Sequence, residues 1–338
     1  MNTIRSIGHR IVSDGSTRAA IILLVFLAVW ANFQVGGLNS SIISGWLVLS
    51  LPLATASIGV TLAIITKQFD LSAAGVITLT NVLMATSFKD MSVWLVIILM
   101  LLMGAAIGLI NGAFVVFGKL PAIAVTLATL IILQGVALIL LERPGGSVDA
   151  DLISFVTGTS IVPRPLIILI VLVLAWLIFK RTKLGIYMFA IGQDEEAVHL
   201  SGVSVRKVRL AIFTIAGMLY ALAGVFLSAA IQSGDATIGG SYLLQTFAAI
   251  AIGGTAFIGG SGSAIGTIFG ALTLMIIPKM LFVVGISDWS QRIFTGVLII
   301  LAVLIGAITA MRQKVKLNEV AGEMEQAEAH QLVEGSDR

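Results

Sequence analysis

The chain has 338 residues, 58% of them hydrophobic and 11% charged, with 20 Lys and Arg against 17 Asp and Glu, and its mean hydropathy is +1.08. A water-soluble domain carries roughly 25% charged residues to keep its surface wet, so a soluble globular protein is excluded and an all-α polytopic membrane protein is expected. Zero Cys and three scattered histidines, His9, His199 and His330, exclude a disulfide framework and a cysteine nucleophile and argue against a metal site or a Ser-His-Asp triad.

The charges are clustered: residues 1–18 hold 4, residues 180–209 hold 9 and residues 311–338 hold 10, so 14 of the 37 are left for the other 262 positions. At roughly 20 residues per crossing, the apolar runs predict about ten transmembrane helices, near residues 20–36, 45–65, 71–87, 92–117, 121–141, 165–179, 210–231, 243–258, 262–286 and 291–310. The domain plan is a tail over 1–19, a transmembrane domain over 20–310 and a charged tail over 311–338. The first run follows Arg5, Arg10 and Arg18 like the h-region of a signal peptide. No small-x-small site follows it, so an uncleaved anchor is expected.

With the N-terminus in the cytoplasm, ten crossings put 15 of the 20 Lys and Arg on the inner side, Lys67, Lys119, Arg206 and Arg209 among them. The outer loops are acidic on balance, with Asp149, Asp151 and Asp235 among their residues. The positive-inside rule is met with both termini cytoplasmic. The pI of 9.3 then reflects basic inner loops rather than nucleic-acid contact. Five crossings per half require that any duplication of the halves be inverted, as in many transporters. Gly104, Gly108 and Gly112 in the fourth run and Gly262, Gly266 and Gly270 in the ninth give a faint trace of such a repeat, although small residues every four positions also serve plain close packing.

Residues 180–209 form the longest inner loop, basic at its ends and acidic at its centre. Within it, 192–202 reads as a short helix: Asp194 caps it, Glu195 and Glu196 sit where the helix dipole favours anions, and Gly202 ends it in a left-handed conformation. Ala197, Leu200 and Ser201 share one face, suited to a partner's groove or to a solvated connector. No GxxxxGK[ST] loop is present, and no chain of acids or histidines runs through the spans to relay an ion. The energy source of any transport must then lie on another chain.

Six polar residues in or beside the spans, Asp70, Ser72, Asn81, Asn111, Thr126 and Gln134, have two readings: lining a path for a hydroxyl-rich solute, or hydrogen bonding between helices. Asp70 has a further local reading as the N-cap of the third span. The tail beyond Val315, rich in Glu, reads as a solvated, fraying helix.

Asp70-Leu71-Ser72, Gly108 to Gly112, Lys119-Leu120-Pro121 and Thr126 to Leu130, followed by Glu196-Ala197, Ser201-Gly202-Val203, Ala248 to Thr255 and Gly259 to Ser263, occur in order over most of the chain. In this they resemble the permease subunits of ribose-type ABC importers, within the wider ribose, xylose, autoinducer-2 and branched-chain amino acid permease superfamily. The resemblance implies a multi-pass transport subunit of the bacterial inner membrane, not an enzyme and without a cofactor of its own, that moves a sugar or sugar-like small solute. It implies as partners a cytoplasmic ABC ATPase that binds the ATP, a periplasmic solute-binding protein, and a second permease subunit in a homo- or heterodimer. It also implies that Asp194, Glu195, Glu196, Ala197, Leu200, Ser201 and Gly202 form the helix that couples to the ATPase. The chain departs from the family's usual pattern at Lys67-Gln68-Phe69, Gln134 and Val198. An ion-coupled secondary transporter with inverted repeats is the alternative reading.

Overall fold

The computed structural model describes residues 15–34, 36–88, 91–159, 162–287, 289–291, 293–297, 300 and 304. Residues 1–14, the C-terminal tail and most of the predicted tenth span fall outside them, as do Lys89, Asp90, Asp288 and Arg292. Among the described residues there is no strand. The helices are α1 (Gly15–Phe33), α2 (Ser40–Ile65), α3 (Ala73–Thr86), α4 (Val93–Val116), α5 (Ala122–Leu140), α6 (Ala150–Thr157), α7 (Arg164–Phe179), α8 (Lys183–Gln193), α9 (Glu195–Leu200), α10 (Val205–Ile231), α11 (Gly239–Ile252) and α12 (Ala264–Val283).

Six of them, α1, α2, α4, α5, α10 and α12, are long and apolar enough to cross a membrane, and α7 with α8 adds a seventh if the pair, bent by 74°, is one span. The chain is therefore a helical, multi-pass membrane protein. α2 is its central post: nearly every residue from Ser44 to Ile65 is buried, which requires a helix apolar all round. Ser50, Thr55 and Thr61 satisfy their hydroxyls within the helix, donating to the carbonyls of Trp46, Leu51 and Ser57. Around α2 pack α10, α11 and α12, while α10 also packs on α3 and α4, and α1 lies against α12. Ile98, Leu102, Ile131 and Ile139 on α4 and α5 are exposed, the arrangement of a protein whose surroundings are lipid or another apolar chain.

Two expectations change. The third and eighth runs, read as spans over 71–87 and 243–258, are the 14-residue helices α3 and α11. At 1.5 Å per residue each is about 21 Å long, short of a hydrocarbon core of about 30 Å. The loop over 180–209 is also not all solvated. α8 occupies its first half and buries Met188 and Ile191 in the core, so only α9 and its flanks stand clear.

The two short helices are reached in the same way. α2 ends at Ile65, Lys67 takes φ 60°, and a non-helical stretch leads into α3. In that stretch Asp70 Oδ1 accepts bonds from the Ser72 amide (2.9 Å) and hydroxyl (2.6 Å). α10 ends at Ile231, Gln232 takes φ 58°, and Asp235 Oδ1 accepts from the Thr237 amide (2.8 Å) and hydroxyl (2.7 Å) before α11. The first break lies at the start of α3. The second lies at its far end, where Asn81 receives the Asp235 amide. A pair of equivalent breaks at opposite ends is the arrangement an inverted repeat requires. The glycine ladders do not supply it: Gly104 and Gly108 pack on the backbone of Gly217 and Phe213 in α10, whereas Gly266 and Gly270 pack on Gly253 and Ala249 at the end of α11. Gly262 precedes α12 altogether.

Candidate functional site

Lys119, Arg206 and Arg209 line a groove of about 1200 Å³ between α9 and the turn joining α4 to α5 at one end of the bundle, and Lys67 reaches the Gln193 carbonyl at the same end. Its walls include Glu195, Glu196 and His199 on one side and Lys119, Leu120 and Pro121 on the other. α9 is built by the expected local chemistry. Asp194 accepts a bond from the Ala197 amide at 3.0 Å, Glu195 and Glu196 occupy the first turn, and Gly202 has φ +82°, a conformation in which a Cβ is strained. Ser204 then caps α10.

Val198 is the anchor of α9, at 8% exposure, while Leu200 is 80% exposed and Ala197, His199 and Ser201 face outward with it. A fork-to-fork pair braces the helix: Arg209 in α10 donates to both oxygens of Glu195, at 2.9 and 2.6 Å. Such a bidentate pair fixes orientation as well as proximity. The result is a six-residue helix held at its base by Val198 and the Arg209–Glu195 pair and presenting a small, partly apolar face.

The polar set lies deeper. Asp70, Ser72, Asn81, Asn111 and Thr126 are each at most 1% exposed. Ser72, not Asp70, is the N-cap of α3; the Asp70 carboxylate acts one step earlier, on the amide of Ser72 itself. Its Oδ2 makes no bond of full hydrogen-bonding geometry, and the group beside it is the buried hydroxyl of Tyr220. Thr126 in α5 accepts from the Leu71 amide at 3.0 Å, tying α5 to the first break. Asn81 donates to Ser228 Oγ and to the Ser233 carbonyl and accepts from the Asp235 amide, tying α3 to the second. Asn111 accepts from Thr129 at 2.6 Å, and its Nδ2 is unpaired. Gln134 is half-buried on α5.

The chain matches the family model described as branched-chain amino acid transport system / permease component over residues 42–303. It belongs to that family. The permease is 36% identical to the ribose import permease protein RbsC of Haemophilus influenzae over 74% of this chain and 80% of that protein. It is 32% identical to RbsC of Escherichia coli K12 over 85% and 92%, and 30% identical to the galactose/methyl galactoside import permease protein MglC of H. influenzae over 87% and 94%. No solved structure matches it. The likeness to ribose-type ABC importer permeases read from the ordered motifs is thereby borne out. The permease also holds groups that the motif reading passed over: Arg209, Tyr220, the Asp235-Ala236-Thr237 turn and three stacked phenylalanines. The second turn had a visible signal, since Asp-x-Ser/Thr stands at both 70 and 235.

Proposed function

We propose that this permease is the membrane-spanning subunit of a binding-protein-dependent ABC importer that moves a sugar or sugar-like solute across the bacterial inner membrane. Ten crossings, two of them the short α3 and α11 completed by their non-helical flanks, form the transmembrane domain over 20–310 with both termini in the cytoplasm, energised by a separate ATPase. A periplasmic binding protein delivers the solute, and a second permease subunit, identical or related, completes the pathway. The single observation that carries the energetic part is α9: capped, anchored by Val198, clamped by Arg209, and offering Ala197, Leu200 and Ser201 to a partner beside a wide groove. On this reading Asp194 to Gly202 is the coupling segment. The sugar class is supported by the ribose and galactose import permeases among its relatives.

Of the six polar candidates, Asp70, Asn111 and Gln134 support a pathway role best. Asp70 and Asn111 keep buried polar atoms without partners, and Gln134 is half-buried on α5, whereas Ser72, Asn81 and Thr126 are engaged in hydrogen bonds. The alternative, an ion-coupled secondary transporter, draws its support from the buried Asp70 and its free oxygen. Reconstitution separates the two. Uptake of ribose or galactose into proteoliposomes should require the ATPase, ATP and the binding protein. Uptake by the permease alone on a proton or sodium gradient would overturn the ABC reading.

A further inference from the structure

Phe69 in the first break, Phe247 in α11 and Phe257 in the turn after α11 form a closed triangle of near-parallel rings. The centroids are 6.2, 6.4 and 6.4 Å apart, with interplanar angles of 24°, 3° and 25°. All three rings are half-buried. They come from the segments where the two short helices leave membrane depth unfilled. Non-helical backbone there is tolerated only when enclosed by protein or set against a water-filled path. The turn that carries Phe257 is also joined to the coupling segment. The Gly260 amide donates to the Ile65 carbonyl at 2.9 Å. Gly192, two residues before the cap of α9, lies so close to that carbonyl and to the Gly260 backbone that a Cβ would overlap both. Lys67 Nζ reaches the Gln193 carbonyl at 3.4 Å.

We propose that Phe69, Phe247 and Phe257 close the α9 end of the solute path, and that the Gly192–Gly260 contact parts the rings when α9 is moved by the ATPase. The proposal rests on the permease reading given above. The three rings offer no hydrogen-bond partner, so a solute hydroxyl entering the stack gives up water for nothing. An apolar constriction of this kind closes by excluding water. The rings hold one another by stacking and apolar contact alone, so no side-chain hydrogen bond or ion pair between them has to break for them to part.

The absence of native cysteine makes the test clean. Phe69→Ala, Phe247→Ala and Phe257→Ala each remove two of the three ring contacts. ATP-free efflux of radiolabelled ribose from proteoliposomes holding the permease alone should then rise by roughly tenfold. The pair Phe247→Cys with Phe257→Cys should leak likewise, seal when joined by a short thiol cross-linker, and lose ATP-driven uptake in the full complex until the link is reduced. Gly192→Ala should leave efflux low and the ATPase bound and hydrolysing, while uptake is lost. Efflux at the wild-type level from all three alanine variants present in the membrane, or uptake undiminished by the cross-link, overturns the gate. Normal uptake by Gly192→Ala overturns the linkage. The efflux arm contains neither ATPase nor ATP, so it reads the gate even where the ABC reading fails.

Discussion

Asn81 shows what a single polar side chain does in this bundle. Its amide and carbonyl together meet Ser228, the Ser233 carbonyl and the Asp235 amide, so one residue of α3 fastens that helix to the second break at three points. Asn81→Leu takes the side-chain partner from the Ser233 carbonyl and the Asp235 amide and should cost roughly 1–3 kcal/mol, seen as a lower melting temperature in detergent. Tyr220→Phe is the contrasting case. The hydroxyl it removes is buried and makes no hydrogen bond, while the ring, which fills the space left by Gly59, stays. That variant should melt within about 0.5 kcal/mol of the parent or above it. A large loss would mean that the hydroxyl and Asp70 are bonded in the folded protein.

At the scale of elements, the contact of α4 with α10 depends on glycine. A Cβ at Gly104 or Gly108 would enter the carbonyls of Gly217 or Phe213, whereas one at Gly135 on α5 meets nothing within 4 Å. Gly108→Val should therefore destabilise by about 1–3 kcal/mol or more. Gly135→Ala should be neutral or add up to about 1 kcal/mol, and thermal melts of the two variants compare them directly. Hydropathy made the long helices readable, and local capping chemistry made α9 readable down to Asp194 and Gly202. The short helices were overestimated because apolar composition continues through Leu71 and beyond Ile252, while the chain leaves the helix there at Asp70-Leu71-Ser72 and Gly253-Gly254. α8 was hidden by its flanking charges: Lys180, Arg181 and Lys183 mark a loop, yet Met188 and Ile191 sit three apart on a buried face. The coming together of Phe69, Phe247 and Phe257 has no local signature, since the rings meet only through the tertiary fold.

On the scale of the whole molecule, the two ends are chemically distinct. Lys67, Lys119, Arg206 and Arg209 cluster around α9. At the opposite end, Gly145 and Gly234 pair backbone to backbone near Asp235 and Ser147, which donates to the Ala85 carbonyl. On the proposed topology the charge bias orients the first end to the cytoplasm. Reporter fusions at positions near 190 should accordingly read as cytoplasmic and those near 150 and 236 as periplasmic; a periplasmic signal near 190 would remove α9 from any ATPase. The most direct test of the coupling itself is Ala197→Trp. Ala197 is exposed on the face that α9 presents, so the substitution disturbs neither the buried Val198 nor the Arg209–Glu195 brace, but would overfill the ATPase groove of the proposed coupling at a cost of about 1–3 kcal/mol. Membrane insertion should stay at the wild-type level, while co-purification of the ATPase and ATP-dependent uptake fall together by about tenfold. A variant that inserts normally, assembles with the ATPase and transports at the wild-type rate would show that α9 is a connector and contradict the account.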